Sequence, residues 1–121
     1  MTIRGIRGAT TVVQDEGEAV LVATEALVRE MAEKNRLVPE DIISVLISTT
    51  TDIKSAFPAR AVRSIEGWTY VPVMCTHEMD VPNSMPFCIR ILMHANTSIV
   101  QKEVHHIYQN EAIQLRPDLR K

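Results

Sequence analysis

Residues 71–82 read VPVMCTHEMDVP, which places a thiol, an imidazole and a carboxylate (Cys75, His77 and Glu78) within four positions. Two chemistries are raised by such a cluster: a metal site, or a thiol nucleophile with its base. A zinc site needs three or four ligands, and its strong versions repeat a CxxC or HExxH spacing. No second cluster at a matching interval follows here, and His105 and His106 are adjacent, so their side chains diverge on any regular element. A thiol nucleophile needs a base and oxyanion donors, and nothing nearby in the sequence supplies the set. In an extended segment Cys75 and His77 point one way and Glu78 the other. If the segment bends, Cys75 and Glu78 face one small hydroxylated ligand.

The cations offer a different chemistry. The chain holds nine Arg and four Lys, and Arg presents a planar, always-charged fork that matches carboxylate or phosphate in a bidentate way. Arg90 lies in FCIRILMH, where Phe87, Ile89, Ile91 and Met93 share one strand face and Cys88, Arg90, Leu92 and His94 the other. A guanidinium in mid-strand is costly to desolvate without an anionic partner. Arg7 sits in a Gly-flanked strand that admits a ligand, and Arg60 and Arg63 are three apart on one helical face behind Phe57. Arg116 adjoins Pro117, and Tyr108 offers a hydrogen-bond donor. Taken singly, each has an ordinary role: surface ion pair, solvated helix face, tail charge or packing.

The elements that must position these residues follow from periodicity. TIRGIRGATTV predicts a strand over about residues 3–8. Val20, Ala23, Leu27 and Met31 recur at helical spacing and predict a helix over 17–35, with Asp15 and Glu18 resembling a capping box. IISVLISTTT reads as a buried strand and Pro58 to Gly67 as a short amphipathic helix. TYVPVM reads as an edge strand because of Pro72, and FCIRILMH as the strongest later strand. IVQKEVHHIY is expected to be a short helix or a helical turn, AIQL a last short strand and LRPDLRK a polar tail. These predict an α/β (α+β) architecture, with helices against one face of a mixed sheet of about five strands.

Composition narrows the function classes. A chain of 121 residues fits one domain, 1–121, with 45% hydrophobic and 23% charged residues. The formal charge of −2 gives no general attraction to nucleic acid or acidic lipid. No apolar run approaches the roughly 20 residues of a bilayer span, and no signal-peptide pattern opens the chain. Two cysteines are too few for a disulfide framework, so a reduced cytoplasmic protein is expected.

Taken in order, IRGIRGATT, TTDIKSAFPARAVRSIEGW, YVPV-C-EMDVP, CIRILMH, IY and LRPDL resemble the monofunctional chorismate mutases of the AroH class. The likeness covers essentially the whole length. It implies a Bacillus chorismate mutase-like homotrimer with a pseudo-barrel core and an active site at each subunit interface. It also implies a Claisen rearrangement of chorismate to prephenate with no metal, cofactor or covalent intermediate. Carried onto matching positions, Arg90 lies by the ether oxygen and the enolpyruvyl carboxylate, with Arg7 and Tyr108 at that end. Glu78 and Cys75 meet the ring hydroxyl. Phe57 and Arg63 come from the neighbouring subunit, Val73 and Met74 line the pocket, and Arg60, Leu115 and Arg116 complete the substrate-binding set.

Three positions depart from the family pattern. Arg60 stands where Lys is often seen, Met74 where a smaller polar residue is familiar, and His105 replaces an Arg. They touch the pocket rim and leave the central set intact. The resemblance also implies that no proton moves, so a sharp histidine-controlled pH profile is not expected. Two other readings compete: a non-catalytic binder of a small dicarboxylate on the same scaffold, and a thiol or metal hydrolase built on VMCTHEM.

Overall fold

The computed structural model describes residues 2–115. Arg116 and the expected polar tail lie outside the described residues.

The chain begins with β1 (Thr2–Thr11), which pairs antiparallel with β4 (Cys88–Thr97) over its full length, from Thr2 opposite Thr97 to Thr11 opposite Cys88. That continuous ladder carries β1 past the expected end at Gly8. α1 (Gly17–Lys34) follows, burying Val20, Thr24, Leu27, Val28, Met31 and Ala32. Its cap differs from the expected one. Glu16 accepts from the N–H groups of Glu18 and Ala19, while Asp15 turns away to accept from Lys54 and Ser55. Asp15 thus ties the start of α1 to the loop after β2, a long-range task that local spacing does not reveal.

β2 (Ile42–Thr49) enters from a single helical turn at Pro39–Asp41, and α2 (Ala59–Arg63) connects it to the parallel strand β3 (Val73–His77). α2 stops at Arg63, short of Gly67, which takes φ +90 in the turn beyond and would bring a Cβ against Pro39. β3 starts later than the TYVPVM reading. Pro72 has no N–H to give a ladder, although its carbonyl accepts from Val45, so regular pairing begins at Val73.

The C-terminal part departs most from expectation. The helical turn expected in IVQKEVHHIY is present as one 3-10 turn at Gln101–Glu103, but its end, Ile107–Tyr108, is a strand, β5, parallel to β1. AIQL lies in a 3-10 segment, Asn110–Leu115, where a strand was expected. Asn110 at φ 54 turns the chain, its side chain donates to Thr10 Oγ1, and the Glu111 N–H donates to Thr11 Oγ1. Side-chain hydroxyls of β1 thus take donors that a further strand would have paired.

The five-stranded mixed sheet runs β3-β2-β4-β1-β5. Alternation along each strand divides it into two faces. Ile6, Val45, Ile47, Ile89, Ile91 and Met93 are buried in one cluster with α1 and with Val62 and Trp68 of the α2 region. Each fully buried aliphatic side chain contributes about 1.5–3 kcal/mol. The face away from α1 carries Arg7, Leu46, Ser48, Arg90 and Leu92, and neither α1 nor α2 packs its buried side chains on it. Gly8 marks the closest approach between layers, where an added Cβ would meet the Met31 thioether.

Candidate active site

The face away from α1 brings two of the arginines together. Arg90 is on the central strand β4, opposite Ala9 on one side and Ser48 on the other. Arg7 lies two residues along β1 from Ala9, and Tyr108 pairs with Ala9 from β5. Arg7, Arg90, Tyr108 and Leu115 therefore line one cavity of about 340 Å³, with Leu46, Leu92, Ser48 and Thr76 as further wall. The cavity joins two arginines to a mostly apolar wall with the hydroxyl-bearing Ser48, Thr76 and Tyr108, an arrangement suited to a compact anion with a hydrocarbon body.

Glu78 completes this face from beyond the end of β3. Its main-chain N–H donates to the Thr49 carbonyl at 2.7 Å, which continues the β2 pairing, and its Oε2 lies 3.5 Å from Arg90 Nε. The following loop is tied down by the residues after β2: Phe87 N–H donates to Asp52 Oδ2, and Cys88 N–H to Thr50 Oγ1, both at 3.0 Å. These bonds tie the end of the 79–87 loop to the residues that follow β2.

Cys75 and His77 face the other way. The Ala59 N–H points at Cys75 Sγ at 3.3 Å, and His77 Nε2 lies 3.3 Å from the Ile53 carbonyl. The extended reading of VMCTHEM thus holds, and the bent alternative is set aside: the side chains of Cys75 and Glu78 do not converge within one chain. No group of three or more His, Cys, Asp and Glu placed to hold a metal ion occurs among the described residues. His77 is engaged with backbone, and Cys88 is buried, its thiol pushed up by desolvation while nearby Arg90 opposes the shift.

Phe57 and Cys75 instead line a second cavity of about 440 Å³ with Pro58, at the mouth of α2. Phe57 is 76% exposed, an unusual state for a ring beside a cavity. Arg60 and Arg63 are exposed on α2. Val73 is half-buried and packs on the core, whereas Met74 is exposed opposite Leu46. The site residues expected from the sequence therefore fall into two groups. Arg7, Arg90, Tyr108 and Leu115 share one cavity, with Glu78 against Arg90; Phe57 and Cys75 line the other, and Arg60 and Arg63 lie exposed on the helix that starts beside it. Thr76 lines both cavities. Sequence reading missed Thr76 and Ser48 as wall residues, although strand alternation places both on the Arg90 face.

Comparison with known proteins identifies the family. The family described as chorismate mutase type I matches residues 3–119. Chorismate mutase AroH of Bacillus subtilis (strain 168) is 46% identical over 119 residues, 98% of this chain and 94% of that protein. Chorismate mutase AroH of Thermus thermophilus is 45% identical over 118 residues, 97% of this chain and 96% of its own length. A solved chorismate mutase from Clostridium thermocellum superposes with a TM-score of 0.87 at 46% identity, covering 89% of this chain and 96% of its own. A match along nearly its whole length, on a sheet whose face away from α1 bears Arg7 and Arg90, places the chain in the type I chorismate mutase family.

Proposed function

We propose that this chain converts chorismate to prephenate, in phenylalanine and tyrosine biosynthesis in the cytoplasm, as a homotrimer with its active sites between subunits. The observation that carries the interface is the division of the site. One edge of the chain holds Arg7, Glu78, Arg90 and Tyr108, and a separate edge holds Phe57, Cys75 and the α2 arginines. Two copies set edge to edge make one enclosed pocket from two open ones. The exposed Leu46, Met74 and Leu92 on the sheet face away from α1 supply apolar area for that association.

The reaction breaks a C–O bond while a C–C bond forms within one molecule. There is no second reactant to bring in, so catalysis lies in holding the compact conformer and stabilising the charge that separates. Chorismate is a dicarboxylate, which accounts for the choice of Arg over Lys. Arg90 stands beside the ether oxygen as negative charge builds there, acting as an oxyanion-hole donor does; loss of one such donor costs about 2.7–4 kcal/mol of barrier. Arg7 and Tyr108 hold the neighbouring carboxylate. Glu78, already oriented by Arg90, complements the positive character left on the ring. Phe57, Arg60, Arg63, Val73, Met74 and Cys75 form the remaining wall, with Leu115 and Arg116 over the mouth. No residue changes protonation state, and no metal or cofactor takes part.

Subunit mixing tests the reading. Arg90→Ala and Arg63→Ala chains, each nearly inactive alone, are unfolded together, refolded as an equal mixture and assayed by loss of chorismate absorbance. Random assortment in a ring of three restores about a quarter of wild-type activity if each site draws on two chains. No recovery above the parents rules out the shared site. A wild-type chain that leaves chorismate at its uncatalysed rate rules out the enzyme and points to a binder.

A further inference from the structure

β2 lies between the strands that carry Glu78 and Arg90, and its end holds an attachment of each. On one side the Thr49 carbonyl accepts the Glu78 N–H at 2.7 Å. On the other, Thr50 clips the start of β4: its N–H donates to the Cys88 carbonyl at 3.0 Å, and its Oγ1 accepts the Cys88 N–H at 3.0 Å. In a regular antiparallel pair that second bond would go to the Thr50 carbonyl. Here a hydroxyl takes its place, so the main chain leaves the sheet after Thr49 while Cys88, two residues before Arg90, stays paired.

Asp52 orients that clip. Its Oδ1 accepts the Thr50 hydroxyl proton, and its Oδ2 accepts the Phe87 N–H at 3.0 Å. An ionised carboxylate only accepts, so the hydroxyl donates to it and turns a lone pair to the Cys88 N–H. Phe87 takes φ 49, a conformation that side chains rarely adopt, and it is held at both ends, since its carbonyl accepts from the Val12 N–H at 2.9 Å. One carboxylate thus fixes two successive residues, Phe87 and Cys88, where the chain enters β4.

We propose that Asp52 is a positioning residue for the rearrangement: through Thr50 and Phe87 it sets where β4 begins, and so holds Arg90 in place against Glu78. The inference rests on the functional reading above, in which Arg90 and Glu78 flank the reacting bond. Asp52 lines neither cavity of the site, so it acts through the backbone it holds. The pair's own contact, 3.5 Å between Arg90 Nε and Glu78 Oε2 and open to solvent, is too weak to set the alignment by itself. Glu78 hangs from Thr49 and Arg90 from the strand clipped by Thr50, which makes the end of β2 their common reference. A misplacement of about 1 Å at a reacting centre can cost about 100-fold in rate.

The test is kcat and KM for chorismate in wild type, Asp52→Ala, Asp52→Asn, Thr50→Val and Thr50→Ser, each checked for native circular dichroism. Asp52→Ala and Thr50→Val should each lower kcat about tenfold, the scale of one hydrogen bond, with KM within about threefold of wild type. Asn can accept from Phe87 through Oδ1 and donate to Thr50 Oγ1 through Nδ2, and Ser keeps the hydroxyl, so both should turn over within about threefold of wild type. In an Arg90→Lys background Asp52→Ala should cost less than about threefold, because the guanidinium it aligns is gone. Unchanged kcat in the Ala and Val variants, the full cost retained beside Arg90→Lys, or an Asn variant as slow as Ala overturns the inference and leaves the mutase activity standing. If Asp52→Ala does not fold, Thr50→Val against Thr50→Ser, alone and beside Arg90→Lys, decides by the same measures. Wild type that leaves chorismate at its uncatalysed rate overturns the functional reading itself.

Discussion

Arg90 and Glu78 meet across two strands of the sheet, the guanidinium on β4 and the carboxylate just beyond β3, with β2 between them. Their Nε–Oε2 separation is 3.5 Å, and their side chains remain 48% and 33% exposed. An ion pair this open contributes little to stability, roughly 0–1 kcal/mol. Its value lies in presenting two opposite charges, already oriented, to a reaction whose transition state separates charge.

Replacing Arg90 by Lys should therefore separate activity from stability. The charge is kept and the fork is lost, so kcat should fall about 100-fold or more. The melting temperature should move by less than about 2 °C, as expected for an exposed pair. Steady-state kinetics beside a thermal melt checks both, and near-normal turnover would remove Arg90 from the role given to it.

Gly8 tests the contact between the sheet and α1. A side chain there would meet the Met31 thioether beneath the strand that carries Arg7. Gly8→Val should cost about 1–3 kcal/mol through overpacking, read as a lower urea midpoint at unchanged slope. An unchanged midpoint would mean that Met31 swings aside freely.

Asp15 should give the chain part of its acid sensitivity. The Ser55 hydroxyl, then the burial that opposes it, and the Lys54 and Ser55 N–H groups leave its carboxyl below the usual value. A depressed folded pKa adds stability above the unfolded value, which is lost as pH falls through the folded one. Asp15→Ala should melt below wild type at pH 7, and the gap should close as pH drops below about 4. A gap that persists there would assign the effect to packing.

The two cysteines should differ in reactivity. Cys75 is partly accessible at a cavity mouth, whereas Cys88 is 3% exposed and its thiol is pushed up by burial. Native protein treated with iodoacetamide at neutral pH should be modified at Cys75 well before Cys88. Peptide mass mapping over time reads the order, and equal rates would contradict the burial of Cys88.

Much of this arrangement could be read from residue order, because it depends on local periodicity. The apolar spacing of Val20, Leu27 and Met31 fixes which side of α1 is buried. The alternation around Arg90 places it with Leu92 and His94 away from Ile89 and Ile91, as the strand shows. The same period-two logic separates Cys75 from Glu78 in VPVMCTHEMDVP. Sequence by itself thus determined the main elements, the faces of the chemically interesting residues and the family.

Tertiary structure decided what those faces meet. IVQKEVHHIY has a helical look, yet its end is drawn into β5 because Asn35 and Arg7, 70 and 99 residues away, supply its hydrogen bonds. Asp15 has the look of a helix cap and instead holds a loop about 40 residues later. The Arg90–Glu78 pairing and the two-cavity division of the site depend on the order β3-β2-β4-β1-β5, which no local pattern encodes. Periodicity reports the burial of a residue's own side, whereas a hydrogen-bond partner far along the chain is chosen only when the sheet has closed.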